Sequence, residues 1–147
     1  MDFTKIRKRG DLRKQYPHIQ TVREEMRSNL IRMLAAKKPL FAGLKGYDDT
    51  VIPRVINAIL CGHNMIILGE RGQGKSRIIR GLIHFLDEYI PAIDGCPIHD
   101  NPYAPVCADC HKNVQLYGDD LPIAWIPRDR RLVEKLATSD VSTADLI

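Results

Sequence analysis

Residues 69–76 read Gly-Glu-Arg-Gly-Gln-Gly-Lys-Ser: a glycine, four residues, then Gly-Lys-Ser. Those residue types at that spacing suit a polyphosphate. Its oxygens can be held by main-chain N–H groups only if the backbone approaches closely and turns sharply. Gly69, Gly72 and Gly74 lack the Cβ that would prevent both. Glu70, Arg71 and Gln73 complete the loop. Lys75 can extend toward the terminal phosphates, and the Ser76 hydroxyl is a hard oxygen ligand suited to Mg²⁺. The predicted chemistry is binding of ATP with Mg²⁺.

A second group of residues could hold a softer cation. Cys96, His99, Cys107 and Cys110 form two pairs, Cys-x₂-His and Cys-x₂-Cys, seven residues apart. Thiolates and imidazole in pairs suit tetrahedral Zn²⁺. His99 is the better fourth ligand, because His111 directly follows Cys110. An ordinary loop with reduced cysteines and a redox switch stand as the other readings. Cys107-Ala-Asp-Cys110-His111 also fits the haem-attachment pattern, but attachment requires export and no signal peptide is seen. Cys61 lies apart and is expected to be a small buried apolar residue.

Elements must position these groups. Asn64–Leu68 is a short apolar run that predicts a buried strand before the loop. Ile78, Ile79, Leu82, Ile83 and Leu86 recur at helical spacing after it. Upstream, Thr21 and Glu24 form a capping box. It opens a helix with an apolar stripe at Val22, Met26, Leu30, Met33 and Leu34, ending before Pro39. A second helix opens near Asp48–Thr50 and ends at Gly62. Residues 1–20 are expected to be irregular, a basic and flexible arm. Residues 21–147 would form the nucleotide-binding domain, with 91–121 as a Cys-rich insert of little periodicity. Leu121–Ile126 suits a short strand, Arg130–Ala137 a helix, and the last eight residues the start of another.

Hydrolysis needs an acid at the end of a neighbouring strand. Ile83–Glu88 fits that pattern superficially, but Asp87 would lie about 18 Å along the helix from Lys75. The expected role of Asp87 and Glu88 is a solvated helix terminus. Ile123–Ile126 is followed by Asp129 at poor spacing. No catalytic residue is assigned, and the chain is expected to hold nucleotide without turning it over.

The combination of Gly46-Tyr47, Val51, Asn57–Leu60, the loop at 69–76 and Gly95-Cys96-Pro97 resembles the AAA+ ATPases, and among them the magnesium chelatase subunit I group. The resemblance spans roughly residues 39–147. It implies an α/β P-loop core with helices flanking a parallel sheet, present here as an incomplete N-terminal part. It implies that Gly46, Tyr47 and Val51 lie near adenine. Full-length relatives form ATP-driven homo-oligomeric rings that remodel a chelatase-like or von Willebrand A-type partner subunit. Gln73 stands where the chelatase loop carries a small residue, so the resemblance bears on the ATP site more than on the substrate. The rival reading is a small Cys/His zinc-binding interaction module with a basic arm.

The 147 residues suit about one domain. No apolar run approaches membrane-span length, and a cytoplasmic protein is expected. Charge is uneven: residues 1–45 hold 12 Lys or Arg against 4 Asp or Glu, whereas 46–147 hold 10 against 14. Few aromatic residues accompany the basic segment, so it reads as solvated charge rather than a nucleic-acid surface.

Overall fold

A computed structural model describes residues 5–135 together with 142 and 144. Among these described residues, seven regular elements run in the order α1 (Arg9–Gln15), α2 (Val22–Ala35), α3 (Val51–Cys61), α4 (Lys75–Gly81), β1 (Tyr89–Ile93), α5 (Ala108–Tyr117) and β2 (Ile123–Pro127). Short 3₁₀ turns follow α4, α5 and β2.

The helical part forms around one apolar cluster of Leu30, Phe41, Val55, Ile59, Ile78 and Phe85. In α2 the capping box is complete: the Thr21 side chain accepts from the Glu24 N–H, and the Glu24 carboxylate accepts from the Thr21 N–H at 2.8 Å. Only part of the expected stripe is buried. Leu30 is fully enclosed, whereas Val22 and Leu34 are exposed and the interior face also carries Glu25 and Asn29. α3 tolerates Pro53 because the first-turn N–H groups have no helical partner to lose. It ends at Gly62, whose φ of 68° is left-handed.

The sheet overturns the expected architecture. Among the described residues there is one sheet, of two antiparallel strands, pairing Tyr89 with Pro127 and Ile93 with Ile123. These residues form no parallel sheet and hence no P-loop core of the anticipated kind. Asn64–Leu68, expected as a buried strand, is not a strand. A strand needs a neighbour for its N–H and C=O groups, and no described segment pairs with it. Met65 and Ile67 pack on the helical core, while Ile66 and Leu68 are each 87% exposed.

Other expectations are corrected on the same physical ground. Residues 1–20 are not wholly irregular: α1 is helical, and Ile6 and Leu12 are buried with Ile123. The backbone runs beside β2, with Ile123 N–H donating to Arg7 C=O and Arg9 N–H to Leu121 C=O, both at 2.9 Å. Segment 91–121 contains most of β1 and all of α5. The helix after the loop leaves α geometry at Gly81 and ends as a 3₁₀ turn at Phe85. The helix expected over Arg130–Ala137 is absent through Lys135, and its last two residues lie outside the described ones. So does most of the expected terminal helix. Cys61 is exposed rather than buried.

Candidate functional site

The loop between Leu68 and α4 is held by its own donors and acceptors. Gly69, Gly72 and Gly74 have φ of 155°, 82° and 66°, conformations that favour glycine. A Cβ on Gly69 would fall 2.3 Å from the Gln73 side-chain oxygen. That oxygen accepts from the Glu70 N–H at 3.0 Å, closing the loop across its mouth. The Lys75 ammonium donates to the carbonyls of Gly69 at 2.8 Å and Glu70 at 2.5 Å. Lys75 is half-buried, while Glu70, Arg71 and Ser76 are exposed.

Tyr47 reaches the loop from the turn before α3, its hydroxyl donating to the Gln73 carbonyl at 2.8 Å. Three N–H groups, of Thr50, Val51 and Ile52, converge on the Tyr47 carbonyl and hold that turn. Tyr47 and Val51 line a cavity of about 490 Å³ together with Arg54, Ile66, Leu68 and Lys75. No acidic side chain lines it among the described residues, so both of its charged walls, Arg54 and Lys75, are cationic. Gly46 supplies the turn, with φ of 80°, but is not part of the cavity wall.

The acids weighed for hydrolysis lie elsewhere. Asp87 is not a solvated terminus: its carboxylate accepts from Asn29 Nδ2 at 3.0 Å and pairs with Arg32 at 3.4 Å. It borders a larger depression of about 840 Å³ formed with Met33, Pro39, His84 and Arg128. Neither Lys75 nor any other residue of 69–76 lines that depression. Asp129 sits in the exposed 3₁₀ turn after β2.

The cysteines come together. The sulfurs of Cys96, Cys107 and Cys110 all lie within 4.8 Å of one another. Cys96 follows the Asp94-Gly95 turn at the end of β1, Cys107 is the N-cap of α5, and Cys110 lies in its first turn. Neither His99, with φ of 52°, nor His111 belongs to the group, and both are exposed. The expected fourth ligand is therefore not in place. Burial pushes the Cys96 thiol up, but N–H groups of Asp100 and Ile98 and the Cys110 thiol donate to it and bring it below the usual thiol range. Burial, then donation toward Cys96 and Cys107, pushes Cys110 up to about 12.

Asp100 is the residue that the sequence did not reveal. Only 5% exposed, its carboxylate accepts from the N–H groups of Asn101, Val106 and Cys107 at 2.8 to 3.1 Å. It thereby ties the Cys96 turn to the start of α5. Its one sequence signal is an Asp opening a Pro-rich loop, which is common to many turns.

No protein-family profile, curated protein or solved structure matches the chain. Among the described residues, no helix is long and apolar enough to cross a membrane.

Proposed function

We propose that residues 69–76 bind the phosphates of ATP together with Mg²⁺. The observation that carries this reading is the position of the Lys75 ammonium. It is folded onto two carbonyls of a loop whose three glycines take glycine-favoured φ values. Those carbonyls are neutral acceptors, and a triphosphate oxygen is an anionic one, which would turn an ion–dipole contact into an ion pair with the ammonium. The adjoining cavity supports the same reading: it is bordered by an aromatic ring, aliphatic side chains and two cations. Ser76, next to Lys75 and exposed, is the residue that would ligate Mg²⁺, whose bound charge would offset that of the phosphates. The reading asks nothing of a parallel sheet. The choice of ATP, and the ring-forming ATPase that remodels a partner, rest on the motif resemblance alone.

Lys75→Ala tests it. Calorimetry in Mg²⁺ buffer is expected to show at least about a tenfold loss of ATP affinity, a free-energy difference of about 1.4 kcal/mol. The thermal midpoint without nucleotide should be nearly unchanged, since the ammonium satisfies only loop carbonyls that water can reach. Equal affinity in parent and variant would overturn the assignment.

A further inference from the structure

We infer that Cys96, Cys107 and Cys110 are a three-thiolate site for a zinc-class divalent cation, with solvent in the fourth position. The site lies outside the phosphate loop and owes nothing to it.

The distances suit the ion. A tetrahedral centre with metal–sulfur bonds of about 2.3 Å places its sulfurs about 3.8 Å apart. The three sulfurs already lie within 4.8 Å, so closure on an ion needs only a small contraction. Two separate segments must be brought together to achieve this, a turn at the end of β1 and the first turn of α5. The Asp100 carboxylate does so without the metal, by accepting from Val106 and Cys107. The ligands are thus preorganised by a group that is not itself in the cluster.

The surroundings are those of a metal site rather than of chance contact. Ile93, Leu121 and Val114 pack around the sulfurs and limit water on the inner side. Cys107 is only half-buried and leaves an approach for the ion. All three cysteines are free, with no disulfide to occupy them. Three thiolates select soft or borderline cations over Mg²⁺ or Ca²⁺, which separates this site from the Mg²⁺ proposed at Ser76. A bound ion would tie the turn after β1 to the first turn of α5.

The full chain, purified with a non-thiol reductant, should be titrated with Co²⁺ and then with Zn²⁺. One equivalent of Co²⁺ is expected to give a cobalt–thiolate charge-transfer band, and one equivalent of Zn²⁺ to bleach it. In chelator competition, Cys107→Ser should weaken zinc binding by more than about a hundredfold, beyond the effect usual for an outer-sphere partner. His99→Ala and His111→Ala should each retain one equivalent at near-parent affinity. Lys75→Ala should also bind one equivalent, so failure of the phosphate reading leaves this test intact. The absence of a thiolate band in the parent chain overturns the site, whatever the variants do. So does a loss in His99→Ala as large as in Cys107→Ser, which would make the histidine a ligand.

Discussion

Glu25 is a carboxylate 2% exposed, on the interior face of α2 beside Asn29 and Leu30. It is tolerated because its partners are complete. Arg131 donates to both oxygens, at 2.7 and 2.5 Å, and the Asp87 N–H donates at 2.6 Å. The Arg131 side chain is itself only 9% exposed. Burying two charges is costly, so the pair is weak grounds for stability but strong grounds for fragility. Glu25→Ala would strand the guanidinium. We expect a loss of about 3–5 kcal/mol in urea unfolding, with most of it recovered when Arg131 is replaced by Met in the same chain. Nothing in the local sequence marks Glu25 as interior, because its partner lies 106 residues away.

Within elements, two residues show how backbone chemistry decides what a pattern cannot. Gly81 closes α4 with ordinary helical dihedrals, so conformational freedom is not its purpose. A Cβ there would fall 2.7 Å from the Phe41 ring, which packs edge-on against Phe85 with centroids 5.6 Å apart. Gly81→Ala is expected to cost about 1–3 kcal/mol by overpacking, despite the better helix propensity of alanine. Thermal unfolding measures it; a stabilised variant would show that the ring yields freely. Pro91 is the second case. Proline in a sequence argues against a central strand, and the segment from 91 onward reads as an insert of little periodicity. In a two-stranded sheet every strand is an edge, so its missing N–H can face away from the partner, and β1 accommodates it.

Across the whole molecule, the uneven charge is partly resolved by contact. Lys8 pairs with Asp120 at 2.8 Å and Arg13 with Asp119 at 3.2 Å, while the Arg9 side chain donates to the Pro102 carbonyl at 2.9 Å. The exposed pairs add little each. Leu12, fully buried beside Ile6 and Ile123, contributes more. Leu12→Ala is expected to cost about 2–5 kcal/mol in denaturant unfolding. A change under about 0.5 kcal/mol, the usual range for surface positions, would mean that residues 5–16 are not integral to the fold.

The features legible in the sequence were local ones. The Thr21–Glu24 box and the Gly62 cap each depend on residues within a few positions of one another, and each occurs as its spacing predicts; the glycines of 69–76 take the turn conformations that glycine favours. Pairing is not local. The run Asn64–Leu68 has strand composition, yet a strand exists only when a second one supplies its hydrogen-bond partners, and composition cannot state which. The same holds for the three thiols. Cys107 and Cys110 share one helical turn by spacing alone, but Cys96 reaches them, and His99 does not, because Asp100 folds the intervening loop. Tertiary structure alone decided the antiparallel sheet, the seating of the basic N-terminal segment along β2 and the burial of Glu25. Each is a contact between residues far apart in the chain, whose loop-closure entropy is offset only when the rest of the core forms.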